Sequence, residues 1–371
     1  MLRKIRVLYI INNLNYGGME RMLADLVRHT DPSRFDKHLL AMSYLGQFAK
    51  GLEKFATLHV ADRMSSWSLV WPRRLARQIQ QIAPDVVHTH SGVWYKASLA
   101  ARLAGARRVI HTEHGRPVPD DWQRKLFERL AAKRTDVVVA VSEPLAQYHL
   151  ENWIVFERHK IRTIINGVDT NLYCPRPDPG TVRRELGIEV MTPVLGSVGR
   201  LERIKGYDLM LEAFRLLRSK WGNGPAPILV ITGEGAERGH LETLVASYGL
   251  RDTIKFLGWR DDIHDLHATF TLFTLSSRSE GTSISLLEAM SAGLCPVVTN
   301  VGGNADILGK ELKHRLVSPG DSVALANSWK NALRDVEKRE QDAQTARSRV
   351  KAYFSLDTMV KSYERLYITG N

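Results

Sequence analysis

Residues 271–300 read TLFTLSSRSEGTSISLLEAMSAGLCPVVTN, and their pattern decides the fold. A short apolar run, TLFTLS (271–276), gives way to a polar loop carrying Glu280 and Gly281. SISLLEAMSA then sets Ile284, Leu287 and Met290 at helical spacing, so a helix is expected to begin near Thr282 to Ser285. LCPVVTN (294–300) is strand-like again. A strand, a helix and a strand in so short a stretch make one unit of parallel α/β construction, because parallel neighbours need a crossover between them.

The same grammar runs through the chain. KIRVLYII (4–11), KHLLAMS (37–43), PDVVHTH (84–90), RRVIHTE (107–113), DVVVAVS (136–142) and IRTIIN (161–166) read as strands, with helical patterns such as MERMLADLVRH between them. VDTNLYCPRPDPGTVRREL (168–186) breaks the pattern with three prolines and a glycine and reads as a linker. Beyond it TPVLGSVG (192–199), APILVITG (226–233), TIKFLG (253–258), TLFTLS and LCPVVTN are strand-like, with GYDLMLEAFRLLRSK helical. The expectation is an α/β protein of two doubly wound, Rossmann-like domains facing a cleft, at 1–175 and 185–354. Ligands of such sheets bind outside the carboxyl ends of the strands.

At 371 residues two cores are the natural expectation. A hydrophobic content of 44% with 25% charged residues fits a folded, soluble chain. The two cysteines, Cys174 and Cys295, have no ligand-like spacing, which argues against a disulfide framework or a zinc site and favours a reducing cytoplasm. The apolar run of MLRKIRVLYII ends at Asn12 and reads as a first strand, not a signal peptide, and no apolar stretch approaches the roughly 20 residues that span a bilayer. The net charge of +12 calls for an anionic partner. Nucleic acid is disfavoured, since no zinc-finger, RRM or KH pattern is present and the basic residues lack interleaved aromatics.

Several loops have the composition of phosphate sites. Gly17 and Gly18 sit where the first strand turns into a helix, which lets an anion approach backbone N–H groups, although the turn alone also accounts for them. They do not form GxGxxG, and no GxxxxGK[ST] occurs, so a dinucleotide enzyme and a P-loop NTPase lose ground. In SVGRLERIKG, Arg200 and Lys205 make a suitable clamp for a pyrophosphate, or a solvated surface pair. In the opening stretch, the N–H groups of residues 281–284 with the hydroxyls of Thr282 and Ser283 suit a phosphate, Glu280 suits sugar hydroxyls and Glu288 a ribose. Ser285 with Glu288 also reads as a capping box. The histidines of HTH (88–90) and HTEH (111–114) do not match HExxH, so no metal is expected there.

The GG turn, GRLERIKG, GEG at 233–235 and SEGTSISLLEAMSAGLCPVV together resemble the retaining glycosyltransferases of GT-B fold, in particular the family-four (group 1) members that use nucleotide sugars. The resemblance covers nearly the whole chain, and its E-x7-E motif is the specific part. It implies that Gly17 and Gly18 lie beside the donor phosphate, that Arg200 and Lys205 neutralise the leaving pyrophosphate, and that Glu280 contacts the donor sugar and Glu288 the ribose. Gly281, Thr282 and Ser283 would hold the distal phosphate, and His114 is the active-site histidine after an N-domain strand. Asn166 and Asp169 of INGVD match a structural turn, and VGGNADIL carries Asp306 where a Glu is usual. A helix at 355–371 is implied to cross back onto the first domain. No cofactor or catalytic metal is implied. The partners are a nucleotide-sugar donor, UDP before GDP, and a glycan or lipid-linked acceptor, in surface polysaccharide or glycolipid assembly. Trp67 and Trp71, and Trp122 of DWQRKLFERLAAKR, lie in basic amphipathic patterns that suit peripheral contact with an anionic inner membrane, or helices with solvated basic faces. The rival readings are a sugar-nucleotide epimerase of the same fold and a non-catalytic sugar-nucleotide binder or scaffold.

Overall fold

Both halves of the chain build parallel sheets from strands whose two faces are covered. The structure, a computed structural model, describes residues 3–15, 17–62, 71–115 and 121–369; Trp67 lies outside them. Two compact units are formed, one from Met1–Gly167 with Leu356–Asn371, the other from Val168–Ser355.

In the first unit the strands are β1 (Ile5–Asn13), β2 (Phe35–Tyr44), β3 (Thr57–Val60), β4 (Val86–His90), β5 (Arg108–Glu113), β6 (Val137–Ala140) and β7 (Ile161–Thr163). They form one parallel sheet of order β3-β2-β1-β4-β5-β6-β7. Every residue of β4 and of β6 is buried, as expected of a strand sandwiched between helix layers. One helix layer seals Leu8, Ile10, Val87 and Val109 under Leu75, Ile79, Ala97 and Ala100. The final helix, Leu356–Thr369, belongs to this unit and buries Met359, Val360, Tyr363, Leu366 and Tyr367 along one stripe. It is pinned by polar contacts as well: Arg108 donates to the carbonyls of Leu366 and Tyr367 at 3.1 and 2.9 Å, and the Tyr367 hydroxyl meets His88 Nδ1 at 2.8 Å.

The second unit carries β8 (Val194–Val198), β9 (Ile228–Thr232), β10 (Ile254–Phe256), β11 (Leu272–Leu275), β12 (Pro296–Thr299) and β13 (Leu316–Val317), in the parallel order β10-β9-β8-β11-β12-β13. Its core gathers Leu195, Leu211, Phe214, Leu229, Ile231 and Trp329. The Trp329 indole N–H is satisfied by Thr274 at 2.9 Å, which removes the cost of burying it.

Two edge strands, β3 and β13, are absent from the sequence expectation, and β7 stops at Thr163 instead of Asn166. An edge strand is covered on few sides, and TLHV has no fully buried residue, so the apolar signal that marks the central strands is missing.

In each sheet the strand order reverses beside the first strand, between β1 and β4 and between β8 and β11. At such a switch point neighbouring loops diverge at the carboxyl ends and leave room for a ligand.

Candidate functional site

The loops after β8 and β11 flank the switch point of the second unit and are laced together. Arg278 N–H donates to the Ile204 carbonyl at 2.8 Å, and Ser276 Oγ to the Gly206 carbonyl at 2.8 Å. The β8 loop closes with a 3-10 turn, Arg203–Lys205, and Gly206 at φ +64° starts the helix Tyr207–Ser219. A Cβ on Gly206 would lie 2.3 Å from the Ser276 carbonyl oxygen, so this glycine is demanded both by its dihedral and by the neighbouring loop.

That lacing brings Lys205 to Glu280. The ammonium donates to both carboxylate oxygens, at 2.7 and 2.9 Å, and Ser277 Oγ donates to Oε1 at 2.6 Å. Only 6% of the Glu280 side chain and 20% of that of Lys205 is exposed, so a charge-assisted pair is held largely away from water. Gly302, at φ +52°, lies against the same loop, where a Cβ would come within 1.9 Å of the Glu280 carbonyl oxygen, and Gly303 N–H donates to the Gly281 carbonyl at 2.8 Å.

The helix that follows is Ile284–Ser291, capped by Ser283, whose Oγ accepts from the Leu286 N–H at 3.4 Å. The cap is therefore Ser283 and not the Ser285 of the expected capping box, because the loop ends two residues earlier and Ser285 is already inside the first turn. Thr282, Ser283 and Glu288 are all buried. Lys205, Glu280, Gly281, Thr282 and Ser283 are thus brought to one end of the sheet, with Glu288 on the helix behind. Arg200 belongs to the same β8 loop but does not join the pair. Its side chain is 57% exposed and bonds to Glu202 at 2.7 Å. Sequence reading missed Ser277 and the two-pronged pair between Arg278 and Asp208, at 2.8 and 2.6 Å. Neither carries a recognisable motif: Ser277 acts on Glu280 within its own loop, and the partner of Arg278 lies seventy residues away.

In the first unit, Gly17 precedes the helix Gly18–His29 in extended conformation. The space its missing Cβ leaves is approached by the Glu20 carboxylate, 2.2 Å from that position, so the first turn of the helix turns an acidic group toward the glycines. His114 follows β5, and a dense polar cluster surrounds it. Its Nε2 meets His90 Nδ1 at 3.0 Å with the rings stacked 5.3 Å apart, and its backbone N–H donates to Ser91 Oγ at 2.9 Å and Glu113 Oε1 at 3.1 Å. Ser91 Oγ also donates to Glu113 Oε1. Among the described residues, His114 Nδ1 and His90 Nε2 have no hydrogen-bond partner.

Burial governs the charge states here. It pushes the His114 ring down to about 3, against the opposing pull of the Glu113 charge, and it holds His88 and His90 well below the ordinary imidazole value. Burial would raise Glu113, but His111, 3.7 Å away, and the Ser91 hydroxyl overcome it and keep the carboxylate below its usual range. His114 is therefore a neutral imidazole near pH 7. Asn166 is buried, and the Asp169 carboxylate accepts from the N–H groups of Asn171 and Leu172 at 2.9 and 3.1 Å, a turn-forming role. Asp306 lies in the first turn of the short helix Asn304–Leu308, which Arg349 secures through the Asp306 and Ile307 carbonyls.

Known families match this chain in both halves. The family model described as Glycosyltransferase Family 4 matches residues 16–172, and that described as Glycosyl transferases group 1 matches residues 180–349. The chain belongs to the GT-B glycosyltransferases. This glycosyltransferase is 26% identical over 307 residues to the N-acetyl-alpha-D-glucosaminyl L-malate synthase of Bacillus anthracis, spanning 81% of this chain and 79% of that one. It is 30% identical over 253 residues to the UDP-Gal:alpha-D-GlcNAc-diphosphoundecaprenol alpha-1,3-galactosyltransferase of Escherichia coli, spanning 66% and 65% of the two chains. In fold it is similar to HepE of Anabaena, solved in complex with UDP, with a TM-score of 0.81, 23% identity, and 98% and 99% of the chains covered.

Proposed function

We propose that this glycosyltransferase moves a hexose-type sugar from a nucleoside diphosphate donor, a UDP-sugar before a GDP-sugar, to a hydroxyl of a glycan or lipid-linked acceptor, with retention of configuration. The observation that carries the reading is the Lys205–Glu280 pair beside the Ser283-capped helix at the β8/β11 switch point. UDP is favoured because HepE is solved with UDP and the E. coli relative is named for UDP-Gal. The same relative's diphosphoundecaprenol substrate supports a lipid-linked acceptor and a role in surface polysaccharide or glycolipid assembly.

In this reading residues 185–354 form the donor domain, and residues 1–175 with the C-terminal helix form the acceptor domain. The donor diphosphate lies against the N–H groups at the start of the helix Ile284–Ser291, with Gly281, Thr282 and Ser283 around its distal phosphate, and Glu288 takes the ribose. The family likeness also assigns donor-phosphate binding to Gly17 and Gly18 of the glycine turn. As the glycosidic bond loosens, charge grows on the departing phosphate, and Lys205, Arg200 and the helix N-terminus stabilise it where it develops, in place of a metal ion. Drawn to phosphate, Lys205 releases the Glu280 oxygens to accept from sugar hydroxyls. His114 supplies a neutral hydrogen-bonding group. Retention rests on the family likeness, with attack from the face the leaving group vacates.

No helix among the described residues is long and apolar enough to cross a membrane. A cytoplasmic enzyme resting on an anionic inner leaflet is supported by Trp71 and Trp122, 50% and 71% exposed amid basic residues.

A thermal-shift titration with UDP, GDP, ADP and NAD tests the reading. UDP is expected to raise the melting temperature, since a ligand at a hundred times its Kd adds about 2.7 kcal/mol. Arg200→Ala and Glu288→Ala should weaken the effect. Incubation with UDP-sugars should then release UDP, whereas an isomerised sugar nucleotide would indicate an epimerase. Silence toward every diphosphate, or a response to NAD alone, overturns the proposal.

A further inference from the structure

The loop that leaves the helix Glu143–Glu151 holds an aromatic residue in a conformation its side chain disfavours: Trp153 has φ +54°. The helix ends in two bonds, from the Trp153 N–H to the Leu150 carbonyl at 3.1 Å and from the Ile154 N–H to that of His149 at 3.0 Å. The position that Trp153 takes in such a cap is usually glycine, because a Cβ is crowded by the backbone in the left-handed region. A bulky residue there costs stability, and a ring that is 64% exposed returns little of it through packing. Strain of this kind persists where a site uses the side chain. The rest of the loop supports that use. Ile154 and Val155 are buried in one cluster with Ala131, Ala132 and Val138, whereas Trp153 and Phe156, 59% exposed, lie outside with their rings 6.0 Å apart. The buried pair anchors the loop, so the exposed pair stands on a fixed base.

The helix Trp122–Ala132 extends the same surface. Its Trp122, Lys125, Leu126 and Arg129 follow the spacing i, i+3, i+4, i+7 and share one face. From that face Lys125 Nζ donates to Asn152 Oδ1 at 2.9 Å and Arg129 to the Asn152 carbonyl at 3.0 Å, which ties it to the residue just before Trp153. Trp122 and Leu126, the latter 46% exposed, therefore border the exposed rings of the loop. Cations surround these apolar groups. Residues 121–134 hold five basic side chains against two acidic ones, and Arg158 and His159 follow Phe156. A second copy of the chain is a poor occupant, since a twofold contact would bring the same cations together. An anionic lipid surface suits both parts of the patch, because tryptophan rings settle at the headgroup level while lysine and arginine meet lipid phosphate.

We propose that Trp153 and Phe156, beside Trp122 and Leu126, form the surface by which this protein enters the headgroup layer of an anionic bilayer. The two rings of the loop insert between headgroups, and the exposed Lys133 and Arg158 meet lipid phosphates at the rim. The left-handed backbone at Trp153 is what holds its ring outward instead of letting it fold back onto the helix. The inference deepens the reading of an enzyme at an inner leaflet and rests on it for the lipid-linked acceptor; docking itself requires no sugar transfer.

The test is flotation of the full chain with vesicles of phosphatidylcholine, alone or with about a third phosphatidylglycerol. The wild type should bind the mixed vesicles, release them as salt is raised, and bind the neutral ones at least tenfold more weakly. Trp153→Gly with Phe156→Ser should lower partition into mixed vesicles by at least about tenfold. Tyr353→Ser, which removes an equally exposed aromatic from the second unit, should stay within about twofold of the wild type. Trp153→Gly alone should melt no lower than the wild type, since glycine relieves the strained cap. Equal binding to neutral and mixed vesicles, undiminished binding by the double variant, or a lower melting temperature in Trp153→Gly overturns the inference. So does a wild-type oligomer, seen by light scattering, that the double variant dissolves, because the patch would then join copies of the chain. UDP should raise the melting temperature of every variant alike. A wild type that does not respond to UDP counts against the transferase reading, and flotation would still decide the docking surface.

Discussion

Acidification from pH 7.0 to 5.5 should destabilise the first unit by an amount set by its buried histidines. His88, His90 and His114 are sealed as neutral rings, with His114 down at about 3 and the other two well below the ordinary value of 6.5, because burial removes the water that would solvate the cation. In the unfolded chain the same rings titrate near 6.5. As pH falls below that value the unfolded state gains protons that the folded state refuses, so stability is lost from about pH 6.5 downward until the folded rings titrate, near 3 for His114. For one such ring the loss between pH 7.0 and 5.5 is about 1.3 kcal/mol, and for three about 4 kcal/mol. His111, also lowered, adds in the same direction, and Glu113, lowered, gives up its own contribution only at still lower pH. Urea unfolding at the two pH values, with hydrogen exchange of the β4 and β5 peptides to locate the change, measures it. His114→Gln separates the effect from any packing cost, since whatever it costs at pH 7.0, its further loss on acidification should be about 1.3 kcal/mol smaller than that of the wild type. A total loss below about 1 kcal/mol, or an unchanged pH-dependent loss in His114→Gln, would refute the reasoning and mean that these rings are charged or hydrated in the folded protein.

Lys205→Met leaves the Glu280 carboxylate without its cation, and a loss of about 2 kcal/mol in stability is expected together with at least a hundred-fold fall in sugar transfer, read by melting temperature and by released UDP. Gly206→Ala forces a side chain against the Ser276 carbonyl at positive φ; the expected cost is about 2 kcal/mol, with UDP affinity reduced about ten-fold as the Lys205 loop shifts. Ser283→Ala removes the cap of Ile284–Ser291 and should cost about 1 kcal/mol by chemical denaturation, whereas Ser285→Ala should leave stability within 0.5 kcal/mol of the wild type, on the order expected of a non-capping position.

The two doubly wound sheets were legible because strands such as VVVA (137–140) and ILVIT (228–232) sit between helix layers and carry apolar residues in unbroken runs. TLHV (57–60) and LV (316–317) were not, since an edge strand is defined by the neighbour that pairs with it more than by its own composition. Residue types at the candidate site were legible to a similar depth. Lys205 and Glu280 stood out by spacing and motif, but their bond spans 75 positions and exists only because β8 and β11 are adjacent, which a linear pattern does not state. Ser283 and Ser285 are both spaced to cap a helix, and what separates them is where the β11 loop ends. The histidines of HTH and HTEH invited a weighing of metal against core, and the contact from His90 to His114 was hidden for the same reason as the lysine pair.

The surplus of twelve positive charges does not sit idle at the candidate donor site. Three cations of the β8 and β11 loops have acidic partners: Lys205 has Glu280, Arg200 has Glu202, and Arg278 has Asp208. A diphosphate arriving there meets paired charges, so under the proposed reading its binding is an exchange in which phosphate oxygens replace carboxylate oxygens. For Arg200, whose pair is exposed, the exchange costs little, because water screens the bond being given up. For Lys205 it is different. Glu280 is buried, and a buried carboxylate deprived of its ammonium needs new donors at once. Ser277 supplies one at 2.6 Å, and the hydroxyls of the donor sugar are the groups that arrive together with the phosphate and can supply the rest. A free diphosphate satisfies only the lysine half of this exchange, and a free sugar only the glutamate half. The intact sugar nucleotide satisfies both, which makes the Lys205–Glu280 pair a device that recognises the linkage between phosphate and sugar more than either part alone.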